Sequence, residues 1–311
     1  MGKIRHFLTI TDLREAELRA LLRRAAELKA DASLGRRLLA GRTIALVFQK
    51  PSMRTRVAFE VAVLQLGGAV IYLGQEDIQL GQREPIKDVA RVLSAYVSGI
   101  VIRTFAHPNV EEFAKYASCP VINGLSDLVH PCQALADLLT LNESFGRLKG
   151  LRVAYIGDGN NVLHSLLQGC AMLGAHVSVA TPPGYKPDPS IWKEVVRLAT
   201  ARGSTVRWEA DPTRAVRGAQ VIYTDVWVSM GKEQERAKRV KTFRPYQVNR
   251  ALLDAAAPGC RVMHCLPAHR GEEMTGDVME SSRSLIFEQA ANRLYAHKAL
   301  LMMLLGGRGK R

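Results

Sequence analysis

Short β-branched runs and longer amphipathic or apolar stretches alternate along the chain from Thr43 onward. The short runs end in Gly, Pro, Asn or Asp, which is typical of parallel strands that are connected by crossover helices. The pattern predicts strands over Thr43–Phe48, Val70–Leu73, Ile100–Phe105, Val121–Asn123, Arg152–Ile156, His176–Ala180, Val221–Asp225 and Arg261–Cys265. Helical periodicity predicts helices over Asp12–Ala30, Arg56–Leu66, Ile86–Val97, Val110–Tyr116, Pro131–Asn142, Leu163–Leu173, Pro189–Arg202 and Gln289–Leu304.

The strand pattern and the chain length both indicate two domains. The predicted strands are enough for two sheets, and 311 residues exceed the roughly 150 that are typical of one domain. A polar link over 143–150 divides the chain into halves of similar make-up. We therefore predict an α/β fold with two domains, 1–145 and 150–288, each a parallel sheet flanked by helices. The last apolar helix, 289–305, is expected to pack back on the first domain because no strand follows it.

Composition narrows the class of protein. Hydrophobic residues make up 47 % and charged residues 23 % of the chain, as in ordinary folded proteins. No apolar run approaches the roughly 18 residues of a membrane helix, and no secretion signal or lipid anchor is recognisable. The 5 cysteines form no CxxC pair and are odd in number, which favours a reducing compartment. We expect a cytoplasmic protein with no membrane partner.

The net charge of +14 permits a nucleic acid or an anionic small molecule as partner. Basic residues are spread along the chain, with short concentrations at Arg236–Arg244 and Arg308–Arg311. Neither concentration is interleaved with the aromatic residues on which single-stranded nucleic acids stack. We therefore expect no nucleic-acid partner. A nucleic-acid-binding protein stays an alternative, with salt-sensitive binding as its mark.

The segment Ser52–Arg56 follows the first strand and opens a helix. Ligands in open α/β sheets bind beyond the carboxyl ends of the strands, and a helix N-terminus favours anions. The hydroxyls and guanidinia of this segment therefore predict a phosphate site, with a plain serine N-cap as the alternative. Arg103, at the end of another apolar strand, either pairs with a buried carboxylate or points at a ligand.

Other strand ends carry weaker signals. Gly157-Asp158-Gly159 is half of a dinucleotide fingerprint, because Val162 stands where the third glycine is needed. Asp225 is compatible with a helix cap, an arginine partner or a site for a substrate amine. Cys265 is compatible with a small buried apolar residue. The cysteines and histidines have no zinc spacing, so we predict no metal.

These motifs, taken in order and at their spacing, resemble the carbamoyltransferase family over nearly the whole chain. Ser52-Met53-Arg54-Thr55-Arg56 is similar to the family's carbamoyl phosphate loop, and His130-Pro131-Cys132-Gln133 to its His-Pro-x-Gln element. Asp225-x-x-x-Ser229-Met230-Gly231 and His264-Cys265-Leu266-Pro267 resemble the motifs of the ornithine-using branch. Further matches are Gln79-Leu80-Gly81, Asn160-Asn161 and Glu288-Gln289-Ala290-x-Asn292-Arg293. Met53 departs from the threonine of many members, and the backbone N–H is unaffected.

The resemblance implies carbamoyl transfer from carbamoyl phosphate to L-ornithine without a cofactor, and trimers or multiples of trimers with shared sites. It implies catalytic roles for Arg103, His130, Asp225 and Cys265. The residues implied for carbamoyl phosphate are Ser52, Met53, Arg54, Thr55, Gln79, Arg103, His130, Gln133, Cys265, Leu266 and Arg293. Those implied for ornithine are Asn161, Asp225, Ser229 and Met230.

Several rival functions stay open at this point. Within the family, the amine acceptor could be aspartate, putrescine or N-acetylornithine, although Asp225 would oppose a dicarboxylate. An ornithine enzyme could run in arginine synthesis or, as a catabolic enzyme, in ornithine breakdown. Outside the family, a nicotinamide-dependent oxidoreductase shares the α/β outline and has the Gly157–Gly159 loop as its best support.

Overall fold

A computed structural model describes residues 4–229, 231 and 233–306 of the chain. The chain divides into two units, one made of residues up to Leu139 and from Asn292 onward, the other of Thr140–Ala291. Each unit contains one sheet in which every neighbouring pair of strands is parallel. The predicted fold class, two parallel sheets flanked by helices, is therefore confirmed.

The first unit has a four-stranded sheet with the order β2-β1-β3-β4. Its strands are β1 (Thr43–Phe48), β2 (Ala69–Leu73), β3 (Gly99–Arg103) and β4 (Val121–Leu125). Its helices are α1 (Glu15–Ala30), α2 (Met53–Gln65), α3 (Gln75–Ile78), α4 (Ile86–Tyr96) and α5 (His107–Tyr116). Helix α6 (Pro131–Phe145) begins in this unit and continues into the second. The central strands β1 and β3 are buried almost throughout, as their continuous apolar sequences require.

The second unit has a five-stranded sheet with the order β7-β6-β5-β8-β9. Its strands are β5 (Arg152–Ile156), β6 (His176–Ala180), β7 (Val206–Glu209), β8 (Val221–Thr224) and β9 (Arg261–His264). Its helices are α7 (Asn161–Leu173), α8 (Pro189–Ala201), α9 (Pro212–Val216), α10 (Arg236–Phe243), α11 (Arg250–Asp254) and α12 (Gly276–Met279). Helix α13 (Ile286–Leu305) begins in this unit and ends in the first.

Strand β7 was not predicted, so the described residues hold nine strands where the pattern indicated eight. The strand is four residues long, lies at the edge of its sheet and alternates Val206 and Trp208 with the charged Arg207 and Glu209. An edge strand needs no continuous apolar run, because one of its long sides carries no neighbour. This sequence therefore looks like a loop until its partner strand is known.

Five predicted helix starts are displaced, those of α1, α2, α5 and α13 by three residues and that of α7 by two. Asp12 belongs to a separate 3-10 turn, and α1 begins at Glu15, where the Glu17 carboxylate accepts from the N–H of Arg14 at 2.9 Å. Helix α2 begins at Met53, three residues before the predicted start, because Ser52 caps it. Helix α5 begins at His107, whose N–H donates to the Asp127 carboxylate at 2.8 Å. Such caps belong to loops, where apolar periodicity carries no information.

The last helix packs on the first unit, as predicted. Where the helix enters that unit, Asn292 Oδ1 accepts a hydrogen bond from Lys29 Nζ at 2.9 Å. At its end, the Leu305 carbonyl accepts from Arg42 Nη1 at 2.6 Å, which satisfies one terminal carbonyl of the helix. Within the described part of the chain, none of the helices combines the length and the apolar character that crossing a membrane requires.

Candidate active site

The Ser52–Arg56 segment forms the first turn of α2, directly after the carboxyl end of β1. Ser52 Oγ accepts from the Thr55 N–H at 3.3 Å, and the Ser52 hydroxyl donates to Thr55 Oγ1 at 3.1 Å. Met53 is 70 % exposed, Arg54 is half-buried and Thr55 is fully buried. The serine N-cap is therefore present, and the helix dipole still favours an anion at this turn. The two interpretations of this segment are compatible.

Arg293 reaches the same turn from α13, 238 residues along the chain. Its Nη2 donates to Thr55 Oγ1 at 2.6 Å, and both side chains are almost fully buried. Since the hydroxyl of Thr55 is held by Ser52 and by Arg293, its position is fixed from two sides. The structure thus brings together three residues that the sequence places in two distant motifs.

His130 lies immediately before α6 and is buried among cationic groups. Burial holds the pKa of His130 well below its usual value, and Arg293, Arg103, His297 and Arg54 lower it further through their charges. The imidazole is therefore neutral at pH 7. Arg103, at the end of β3, is itself buried. Three guanidinia that act on one imidazole make this part of the first unit suited to an anion.

Gln133 and Cys132 follow His130 in the first turn of α6. Gln133 Nε2 donates to Asp137 Oδ1 at 2.8 Å, which orients the amide, and both side chains are buried. The Cys132 thiol donates to the Asn123 carbonyl at 3.3 Å, and burial raises its pKa to about 12. Cys132 is therefore a neutral thiol that joins α6 to β4.

Gln79 lies in the exposed turn after α3. Its backbone is left-handed, with φ of 36°, and it closes the helix by donating its N–H to the Gln75 carbonyl. It contributes to the wall of a cavity of about 670 Å³ in the first unit, together with Gln49, Tyr72 and Phe105. The loop between α3 and α4 thus presents this amide at the surface.

In the second unit, the carboxyl ends of β8 and β9 bring Asp225 and Cys265 together. The Cys265 thiol donates to Asp225 Oδ1 at 2.8 Å, and Asn160 Nδ2 donates to Asp225 Oδ2 at 2.7 Å. Asn160 also caps α7 through Oδ1, which accepts from the N–H groups of Val162 and Leu163. Asp225 therefore has both oxygens oriented. Asn161, the first residue of α7, is half-buried next to this cap.

The loop after Asp225 is held from α10 by Arg239, a residue that the sequence did not single out. Arg239 Nε donates to the Trp227 carbonyl at 2.6 Å, and Arg239 Nη2 forms a buried ion pair with Asp158. Ser229 is half-buried in this loop. Met230, the other residue predicted here, lies outside the described residues.

The Gly157–Gly159 loop has a structural explanation. Asp158 is bound to Arg239, and a Cβ on Gly159 would lie 2.4 Å from the carbonyl carbon of Lys186. The Gly159 N–H donates to the Tyr185 carbonyl at 3.0 Å. Glycine is needed here because two backbone segments approach closely. This removes the main support for a dinucleotide loop.

A buried pair of side chains, His264 and Glu273, supports the turn at Leu266. This pairing was not predicted from the sequence. Leu266 has φ of 59°, and the Leu266–Pro267 peptide bond is cis. The Leu266 N–H donates to His264 Nδ1 at 2.8 Å, so His264 carries its proton on Nε2, which donates to Glu273 Oε1 at 3.0 Å. His264 and Glu273 are both fully buried. They fix the backbone of the His264–Pro267 motif.

Two groups of ligand-type side chains in the described residues are compact enough for a metal ion, namely Asp225, His264 and Cys265, and His269, Glu272 and Glu273. The spacing of cysteines and histidines along the sequence did not predict the first group, because the fold brings Asp225 close to His264 and Cys265. Its members fit a metal poorly, because the thiol binds Asp225 and both nitrogens of His264 have hydrogen-bond partners. In the second group, Glu272 is paired with Arg236.

Comparison with known proteins agrees with these motifs. Two family models match the chain, the aspartate/ornithine carbamoyltransferase carbamoyl-P binding domain over residues 5–143 and the Asp/Orn binding domain over residues 149–304. The chain belongs to the aspartate/ornithine carbamoyltransferase family, and it is thereby placed among the carbamoyltransferases.

Ornithine carbamoyltransferases are among the similar proteins. The ornithine carbamoyltransferase of Gloeobacter violaceus is 53 % identical over 97 % of this chain and 96 % of its own length. A protein of Pyrococcus furiosus named "ornithine carbamoyltransferase, anabolic" is 51 % identical over 97 % of both chains. The solved structure of ornithine carbamoyltransferase from Pyrococcus furiosus superposes with a TM-score of 0.95 over 98 % of both chains, at 51 % identity.

Proposed function

We propose that this enzyme transfers the carbamoyl group of carbamoyl phosphate to the δ-amino group of L-ornithine, which gives L-citrulline and phosphate. The first unit, with the motifs up to residue 145 and the end of α13, binds carbamoyl phosphate. The second unit, which contains the predicted domain 150–288, binds ornithine. The observation that carries the proposal is the buried cluster in which Arg293 holds Thr55 and several guanidinia act on His130.

The cluster of the first unit suits a dianionic leaving group. Ser52, the backbone N–H of Met53, Arg54 and Thr55 hold the phosphate at the N-terminus of α2, and Arg103 bridges phosphate and carbonyl oxygen. Guanidinium groups bind phosphate oxygens bidentately, and burial strengthens each contact. Gln133 and Arg293, together with the Leu266 carbonyl, orient the carbamoyl NH₂ end. Gln79 is expected to serve this group from a neighbouring subunit.

His130 and Thr55 stabilise the oxyanion that forms when the amine attacks. Because His130 is neutral, it donates a hydrogen bond without adding a further positive charge to the cluster. Loss of one such donor typically lowers the rate by about a hundred- to a thousandfold. A new C–N bond forms and the C–O bond to phosphate breaks. The ammonium group of the amine gives up two protons in all, one to solvent and one to the departing phosphate.

The Asp225 region of the second unit suits an amino acid. Asp225 and Ser229 bind the α-amino group, and Asn161 and the Met230 N–H bind the α-carboxylate, which directs the δ-amine to the carbonyl carbon. An alkyl amine has a pKa near 10.4 in water, so the attacking nitrogen must first lose a proton. We assign to Asp225 and its partner Cys265 the role of favouring loss of that proton. Cys265 is not a covalent nucleophile, since its thiol donates to Asp225.

We infer that the reaction serves arginine biosynthesis in the cytoplasm, without a cofactor, in a homotrimer or a multiple of trimers. The relative of Pyrococcus furiosus that is named anabolic supports the direction. Light scattering of the purified protein tests the trimer, and a monomeric mass would contradict it. Citrulline formation at low ornithine concentration, compared with phosphate-driven breakdown of citrulline, tests the direction.

The decisive experiment is citrulline formation from carbamoyl phosphate and L-ornithine, compared with L-aspartate, putrescine and N-acetylornithine. We expect product with ornithine alone, and loss of activity in Arg103→Ala. Arg197→Ala is the matched control, because Arg197 is an exposed arginine on α8. Product with another amine, or none with any of the four, would contradict the proposed substrate.

A further inference from the structure

Helices α2 and α13 meet through two residue pairs that lie one helical turn apart. Thr55 and Phe59 are four residues apart on α2 and therefore lie on one face of that helix. Arg293 and His297 are likewise four residues apart on one face of α13. At the first contact, Arg293 Nη2 donates to Thr55 Oγ1 at 2.6 Å. At the second, the rings of Phe59 and His297 stack with centroids 3.9 Å apart and planes 10° apart.

The stacked pair is tightly constrained. Phe59 and His297 are both fully buried, and at a centroid distance of 3.9 Å the rings are in van der Waals contact over their faces. A shift of α13 along α2 would slide one ring off the other. The same shift would move Arg293 away from Thr55, because Arg293 is rigidly linked to His297 by one turn of helix.

We propose that His297 is a positioning residue, whose stack on Phe59 sets the register of α13 against α2 and thereby holds Arg293 on Thr55. The proposal rests on the proposed function, because Arg293 and Thr55 are the residues assigned to carbamoyl phosphate. The last motif that resembles the family, Glu288–Arg293, ends four residues before His297 and does not include it.

The chemistry of the imidazole fits this role. Burial lowers the pKa of His297 well below its usual value, the charge of Arg293 lowers it further, and the backbone of Cys132 acts in the opposite direction. His297 in turn lowers the pKa of His130, which burial also holds well below its usual value, so both imidazoles are neutral. A neutral flat ring packs on Phe59 without adding a positive charge beside Arg293. A leucine would fill the volume and lose the face-to-face contact.

The test compares His297→Leu, His297→Phe and Phe59→Leu. Aromatic pairs add enough beyond simple burial for a roughly 2- to 10-fold effect. We therefore expect kcat/KM for carbamoyl phosphate to fall about 2- to 10-fold in the two leucine variants, with the KM for ornithine unchanged. His297→Phe keeps an aromatic face and should restore the value to within twofold of the wild type.

Phe113→Leu is the matched control, since Phe113 is a fully buried phenylalanine of α5 in the same unit and outside the site. It should lower the melting temperature and leave kcat/KM unchanged. In an Arg293→Lys background, His297→Leu should cause no further loss, because the group that it positions has been altered. Equal losses of kcat/KM in Phe113→Leu and Phe59→Leu, or no rescue by His297→Phe, would overturn the proposal.

Calorimetric titration with carbamoyl phosphate alone, without an amine, separates this proposal from the proposed function. If the wild type binds carbamoyl phosphate and makes no citrulline, the proposed function fails. The role of His297 is then judged by binding alone, where a 2- to 10-fold weaker Kd in His297→Leu supports it. An unchanged Kd in His297→Leu, or no binding by the wild type, would refute it.

Discussion

The side chain of Arg239 joins three parts of the second unit, and its removal is predicted to be strongly destabilising. It is 1 % exposed, forms an ion pair with Asp158 and donates to the Trp227 carbonyl at 2.6 Å. The guanidinium carbon also lies 4.8 Å from the ring centroid of Tyr185. The perturbation is Arg239→Met, which keeps most of the apolar stem and removes the guanidinium.

The expected loss follows from the groups that remain. A buried charge that loses its partner destabilises a protein by about 3–5 kcal/mol, and a buried carbonyl that loses its donor adds about 1–3 kcal/mol. The side chain of Asp158 is only 7 % exposed, so water compensates little of this loss. Because the two terms overlap in one side chain, we expect a decrease of about 4 kcal/mol in the free energy of unfolding. Total stabilities of about 5–15 kcal/mol make this a large fraction.

Urea unfolding at pH 7 measures this loss, and the double variant Arg239→Met with Asp158→Asn identifies its cause. Asparagine leaves no uncompensated charge, so the double variant should recover about half of the lost free energy. Arg236→Met is the control, since its ion pair with Glu272 lies at the surface and should contribute less than about 1 kcal/mol. A loss below about 1 kcal/mol in Arg239→Met, or no recovery in the double variant, would refute the reasoning. In Arg239→Lys, we expect the KM for ornithine to rise and the KM for carbamoyl phosphate to stay unchanged.

Three further predictions concern stability. Burial lowers the pKa of His297, so below about pH 6.5 the unfolded chain binds a proton that the folded chain excludes. The contribution of this group to stability is therefore fully present above about pH 6.5. At lower pH, the free energy of unfolding decreases by at most about 1.4 kcal/mol per pH unit for this group. His297→Phe should flatten urea-unfolding stability between pH 6.5 and 5, and an unchanged slope would contradict this. Ser52→Ala removes the cap of α2 and should lose about 1 kcal/mol in thermal unfolding, whereas Ser52→Gly should lose a few tenths; equal losses would exclude the cap as the reason. Glu273→Ala leaves the buried N–H of His264 unpaired and should lower the free energy of unfolding in urea by about 1–3 kcal/mol. The control Glu272→Ala removes a surface ion pair and should lower it by less than about 1 kcal/mol. A smaller loss in Glu273→Ala than in the control would argue against the buried pair.

The sequence predicted the central strands and missed features that depend on a partner. Strands β1 and β3 are buried on both faces, so their apolar runs identify them without further information. Strand β7 is defined by its pairing with β6, and nothing in its four residues requires that pairing. The start of α5 depends on the carboxylate of Asp127, which lies 20 residues away.

The same distinction applies to the candidate site. Ser52, Arg103 and Asp225 were predicted as site residues because each follows the carboxyl end of a parallel strand, where ligands bind in open α/β sheets. Arg239 and its partner Asp158 are 81 residues apart, and only packing brings them together. His297 occupies an ordinary inward-facing position of an apolar helix, where the pattern predicts a core residue and cannot distinguish stacking from simple burial.

The cationic cluster of the first unit is difficult to explain by stability alone. Arg103 and Arg293 are both almost fully buried, and with Arg54 they act on an imidazole that burial already keeps neutral. Like charges repel, and burial increases both the repulsion and the loss of hydration. A core built for stability would avoid such an arrangement, and proteins retain local conflicts of this kind at functional sites. In the proposed function, phosphate at the N-terminus of α2 brings two negative charges to these groups, and this charge complementarity favours a dianionic substrate.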